Sequence, residues 1–168
     1  ENGRKDHFGF PGIGGIGLYL THRKLFKELL NKNISNNVLI CEEDCIIYNP
    51  DEFVRKIKLL NDYKNFDCAI FGSKKTYKNK KYIDKQINES NNILNVNDLK
   101  LNTIKKDFKK CNEDFFLYHS SLWSPNGIKK MNIYLNDIIE FQIDAYLSKL
   151  ALNNKLNILL EKNKTTNQ

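Results

Sequence analysis

Two short apolar runs constrain this chain more than anything else in it. Val38-Leu-Ile-Cys41 and Phe66-Asp-Cys-Ala-Ile-Phe-Gly72 bracket an amphipathic segment. Each run is short and bounded by turn residues, which reads as a buried strand. Between them Pro50-Asp-Glu opens a helix: proline suits the first turn, and acids suit the positive end of the helix dipole. Phe53, Ile57 and Leu60 then share one apolar face. Strand, helix, strand is a parallel crossover unit, so the expectation is an α/β fold with a mostly parallel central sheet flanked by helices.

The 168 residues fit a single domain. Residues 1–11 read as irregular, and Gly12-Ile-Gly-Gly-Ile-Gly17 as a glycine-rich loop. A helix is expected over residues 21–32, capped by Thr21, with Leu25, Phe26, Leu29 and Leu30 as its stripe. Residues 73–112 are rich in Lys and Asn without a strong period. They read as an exposed connection, or as a variable loop shaping an acceptor site. Phe115-Phe-Leu-Tyr118 opens a strand expected to run to about Trp123. Ser124-Pro-Asn-Gly127 leads into a helix over 128–135. Asp137-Ile-Ile-Glu140 has capping-box spacing and opens the helix carrying Asp144. Leu156-Asn-Ile-Leu-Leu160 is the last strand, and residues 161–168 read as a frayed tail.

The formal charge is +7 and the pI about 9.1. Nucleic acid is the first partner to test against that charge. The cations are nearly all Lys, with Arg only at 4, 23 and 55, and Arg is the residue that forks onto bases and phosphates. Acids at Asp84, Glu89, Asp98 and Asp107 interrupt the Lys-rich region. No specific nucleic-acid partner is expected. No apolar run approaches the ~20 residues of a membrane span. No signal peptide is visible and no initiator Met is present, so the chain reads as a piece of a longer one. Cys41, Cys45, Cys68 and Cys111 form no C-x-x-C pair, and a reducing compartment is expected. Hence the expected location is cytoplasmic, at most peripheral to a membrane.

Gly12, Gly14 and Gly17 satisfy G-x-G-x-x-G, but Phe10-Pro11 stands where a dinucleotide fold needs a strand. The acidic triplet Glu42-Glu43-Asp44 is more informative. It follows the first apolar run, where open α/β sheets hold their ligands. Strand alternation would put Glu42 and Asp44 on one side and Glu43 on the other. Paired carboxylates suit Mg²⁺ or Mn²⁺, ions that keep positions open for substrate phosphates. A solvated acidic loop capping the next helix is the alternative.

Context adds to this. Gly14-Gly-Ile-Gly-Leu-Tyr-Leu-Thr-His22, an amphipathic helix, and Val38-Leu-Ile-Cys-Glu-Glu-Asp44 resemble glycosyltransferase family 25. That family includes lipopolysaccharide and procollagen galactosyltransferases. His119-Ser-Ser-Leu-Trp-Ser-Pro-Asn-Gly127 and Ile143-Asp144 with Tyr146-Leu147 resemble its later motifs. The patches occur in order across residues 12–150. Thr21, Glu43 and Ser121 depart from the family pattern, and its first strand has no counterpart here.

The resemblance implies a GT-A-like fold lacking its first strand. It also implies inverting, metal-dependent transfer of galactose or glucose from a UDP-hexose donor to a glycan or protein acceptor. Mn²⁺ or Mg²⁺ would be held by Glu42 and Asp44. Glu43, His22 and His119 are the candidate donor-binding residues, with His22 meeting a phosphate from the start of a helix. Asp144 is the candidate general base for the acceptor hydroxyl. Trp123 reads as core rather than as a sugar platform. The competing readings are a non-catalytic module on the same fold and a basic nucleic-acid-binding domain.

Overall fold

The computed structural model describes residues 13–72, 74–75, 98–112, 115–116, 119–135 and 141–167. In chain order the elements are α1 (Ile13–Asn31), β1 (Val38–Cys41), β2 (Ile46–Ile47), α2 (Pro50–Tyr63), β3 (Cys68–Phe71) and β4 (Lys74–Lys75). There follow α3 (Asp98–Asp107), β5 (Phe108–Lys110), β6 (Phe115–Phe116), β7 (Ser120–Trp123) and α4 (Pro125–Tyr134). The last elements are α5 (Ile143–Leu152), β8 (Ile158–Glu161) and β9 (Thr166–Asn167).

The central sheet has the order β1-β7-β3-β8-β5. β3 and β8 are parallel; β7 is antiparallel to both β1 and β3, and β5 is antiparallel to β8. The sheet is therefore mixed, not mostly parallel. β1, β3 and β8 share one direction, but β7 lies between β1 and β3, so the expected crossover unit skips a strand. Two short ribbons, β2 with β9 and β4 with β6, complete the pairing among the described residues.

Helices cover both faces. Alternation along β3 sends Cys68 and Ile70 to one face and Ala69 and Phe71 to the other. The first face packs on Tyr19, Phe26 and Leu29 of α1, Met131 of α4 and Leu147 of α5. The second packs on Phe53 and Leu60 of α2 and Ile104 of α3. Trp123 is in the core as expected: its ring meets Phe26 edge-on at 4.7 Å, and its Nε1 donates to Ser121 Oγ.

Several boundaries differ from the sequence reading. The glycine-rich stretch is helical: α1 starts at Ile13. Each interior Gly costs about 1 kcal/mol relative to Ala, but Tyr19, His22, Phe26 and Leu29 recur on one buried face and outweigh it. Thr21 is then mid-helix and back-bonds to Gly17 O instead of capping. Part of the expected Lys/Asn connection is α3 and β5, with Ile104, Phe108 and Cys111 buried. The strand expected from Phe115 is two separate strands, β6 and β7. α5 opens at Ile143 after Gln142, and Asp137 and Glu140 of the capping-box reading lie outside the described residues. The tail is not frayed: Thr165 and Thr166 are buried, and β9 pairs with β2. Residues 1–11 and His7 also lie outside the described residues.

Asp67 fixes the amino end of β3. Its buried carboxylate accepts from Asn126 Nδ2 (2.9 Å), Lys130 Nζ (2.7 Å) and Asn157 N (2.8 Å). Asp67→Ala leaves these donors unpaired and is expected to cost about 2–3 kcal/mol in urea unfolding. Asp67→Asn, which keeps an acceptor, is expected to cost less.

Candidate functional site

The carboxyl ends of β1, β3 and β8 lie along one edge of the sheet, beside the amino ends of β7 and β5. Cys41 pairs with Ser120 in the β1–β7 register, so the next residues outward, Glu42 and His119, face each other. Glu42 N donates to His119 O (2.9 Å). The His119 ring donates from Nδ1 to Glu42 Oε2 (3.0 Å); a carboxylate only accepts, which puts that proton on Nδ1.

The strand ends at Cys41, and the acidic triplet is a turn closed by Cys45 N donating to Glu42 O (3.1 Å). Glu42 and Asp44 meet because of that turn, not because of strand alternation. Together with His119 they offer ligand atoms that all lie within 4.8 Å of one another. The family resemblance makes His119 a donor contact. The structure brings it to the carboxylates, since register pairs it with Glu42. Glu43 is exposed beside the cluster, and Glu43, His22 and Asp144 are not members of it.

The donor set fits a divalent cation. Two carboxylates and an imidazole suit Mn²⁺ better than Mg²⁺, which prefers all-oxygen surroundings. His119 is 1% exposed, and among the described residues its Nε2 has no hydrogen-bond partner. Leaving a buried ring nitrogen unpaired costs stability, and Nε2 is the ring atom with capacity for a further partner.

His22 is not at a helix start. It is buried in the middle of α1, with Nδ1 donating to Leu18 O (2.9 Å). Burial pushes its pKa down, while the Leu18 carbonyl and the charge of Glu42 push it up. Asp144 is in the first turn of α5, and its Oδ1 accepts from Ala145 N (2.8 Å). Partial burial raises the Cys41 thiol, and Cys45 beside it adds to the rise.

Sequence reasoning missed what holds this edge together. Lys56 and Glu161 form a fully buried ion pair next to the tail. One signal was present: Lys56 falls on the apolar stripe of α2, between Phe53 and Leu60.

A mixed sheet with helices on both faces and acids at its carboxyl edge is compatible with a glycosyltransferase fold. The family model for the Core-2/I-Branching enzyme matches residues 12–124, about two thirds of the chain. The chain belongs to the Core-2/I-Branching enzyme family and carries a glycosyltransferase domain, which implies a nucleotide-sugar donor and an acceptor. The transferase class expected from the motifs stands, but the matching family is not family 25. No curated protein and no solved structure matches the chain. Glu42, Asp44 and His119 fall inside the matched stretch, and Asp144 falls beyond it. No helix among the described residues is long and apolar enough to cross a membrane.

Proposed function

We propose that the domain transfers a hexose, galactose or glucose, from a UDP-sugar to a hydroxyl of a glycan or protein acceptor, with inversion. The observation that carries the reading is the meeting of Glu42, Asp44 and His119 at the carboxyl edge, within the family-matched stretch. Those three residues would hold Mn²⁺ or Mg²⁺, which when bound would neutralise the leaving diphosphate. Glu43, exposed beside the cluster, and His22, buried in α1, are the proposed donor contacts. Asp144 is the proposed base that takes the acceptor proton; inversion needs such a base opposite the leaving group.

Calorimetry with UDP and Mn²⁺ tests this. Binding of UDP that strengthens with Mn²⁺ in the parent, and is lost in Asp44→Asn, is the expected result. Parent and variant behaving alike, with neither UDP nor UDP-sugars bound, would end the reading for this chain.

One observation favours a second, cation-free reading: Glu42 Oε2 is already occupied by His119 Nδ1. In that case Glu42 and His119 orient one another, and the basic side chains of the chain would meet the diphosphate. Chelation separates the two. Under the metal reading, EDTA is expected to remove sugar transfer and Mn²⁺ to restore it. Activity indifferent to EDTA selects the second reading.

A further inference from the structure

The buried Lys56–Glu161 pair stands outside the cluster but ties together everything around it. Lys56 Nζ donates to Glu161 Oε1 (2.9 Å) and to Asn163 O (2.7 Å). Glu161, the last residue of β8, also accepts from Gly72 N (3.2 Å), Thr165 N (3.1 Å) and Thr165 Oγ1 (2.7 Å). A buried ion pair is weak evidence for stability, because desolvation offsets most of the attraction. Its clearer effect is geometric: it joins α2, the end of β3 and the segment 163–166 at one point.

That segment lies on the site. A Cβ on Gly72, whose φ is +71°, would stand 2.6 Å from Thr166 O, so the chain crosses directly over the end of β3. Thr166 Oγ1 is 3.4 Å from the hydroxyl of Ser120, the neighbour of His119. Thr165 O accepts from Tyr48 N (2.9 Å), and Ile46 and Ile47 pair with Asn167 and Thr166. Asp44 therefore sits within the Glu42–Cys45 turn, which the β2–β9 ribbon directly follows.

We propose that Glu161 is a positioning residue: by fixing the segment 163–167 it holds β2, and so sets where Asp44 stands relative to Glu42 and His119. The proposal rests on the reading of that cluster as the cation site.

The test compares the parent with Glu161→Gln, Thr165→Val, Leu60→Ala and Asp44→Asn, by Mn²⁺ calorimetry and amide hydrogen exchange. Glu161→Gln keeps the shape but cannot accept from Gly72 N, Thr165 N and Lys56 Nζ together. Its Mn²⁺ dissociation constant is expected to rise about tenfold or more, the range for partners that orient a metal ligand. Thr165→Val removes one bond to Glu161 and is expected to shift affinity the same way by less. Exchange is expected to quicken over residues 45–48 as well as 163–167. Leu60→Ala, in the core under α2, is the control for lost stability: a lower Tm with unchanged Mn²⁺ affinity. Parent-like affinity in Glu161→Gln, or an equal loss in Leu60→Ala, overturns the proposal. If Glu161→Gln does not fold, Thr165→Val decides by the same two outcomes. If parent and Asp44→Asn both take up no Mn²⁺, the cation reading fails and exchange decides. Spread into 45–48 then keeps the tether; confinement to 163–167 overturns it.

Discussion

Asp44→Asn is expected to cut sugar transfer by on the order of a hundredfold or more while leaving the fold intact. A cation stabilises developing charge on a leaving diphosphate by several kcal/mol, and each ~1.4 kcal/mol is tenfold in rate. Asn keeps an oxygen at the position but removes the charge that holds the ion. Asp44 is exposed on the Glu42–Cys45 turn, so stability should change little. Glu42→Gln is the informative companion. It keeps an oxygen acceptor for His119 Nδ1, yet it also loses a charge. Under the metal reading both variants lose activity, and raised Mn²⁺ restores part of it. Steady-state kinetics at several Mn²⁺ concentrations, with melting temperatures alongside, checks this. Asp44→Asn turning over like the parent at every Mn²⁺ concentration, the lowest included, would remove the cation from the reaction.

Much of the scaffold was legible because its signals are local. β3 is buried along its whole length and reads as an unbroken apolar run; Pro50, Asp51 and Glu52 mark the start of α2. The acidic triplet was legible for the same reason, since a charged turn ends an apolar strand. Pairing was not legible. β7 enters between β1 and β3 from far along the chain, and nothing in Ser120-Ser-Leu-Trp123 states its neighbours. His119 joins Glu42 through that same long-range register, which is why its place beside the carboxylates was not legible. The start of α1 was hidden by glycines whose local preference lost to the packing of Tyr19 and His22. The C-terminal segment looked frayed because it is polar. Its order comes from Glu161, itself held by Lys56, and from Tyr48; Lys56 and Tyr48 are remote in sequence. The family match reaches only residue 124, so it says nothing of Asp144, and the proposed base must be tested by itself.

Gly127→Ala is expected to produce the largest loss of stability. A Cβ at Gly127 would stand 1.9 Å from Asp67 O, a backbone atom that cannot swing aside. Gly127 lies in the first turn of α4, and that turn is seated on the amino end of β3. Ser124 Oγ accepts from Gly127 N (3.0 Å) and donates to Asp67 O (3.3 Å), while Ser124 N also donates to Asp67 O (3.0 Å). A methyl group therefore forces α4 off β3 and strains the cap and both carbonyl bonds together. Overpacking costs about 1–3 kcal/mol, a lost cap about 1, and a broken hydrogen bond about 1. The expected total, about 3–5 kcal/mol, is a large share of the ~5–15 kcal/mol that holds a domain folded. Ser124→Ala, which removes the cap without the clash, is expected to cost about 1 kcal/mol. Urea unfolding of the two variants separates packing from capping. The clash is at the amino end of β3, whereas the Glu42–Asp44–His119 cluster is at the carboxyl edge. Any Gly127→Ala protein that stays folded is therefore expected to bind Mn²⁺ as the parent does. A variant as stable as the parent would mean that α4 does not sit on Asp67 as described.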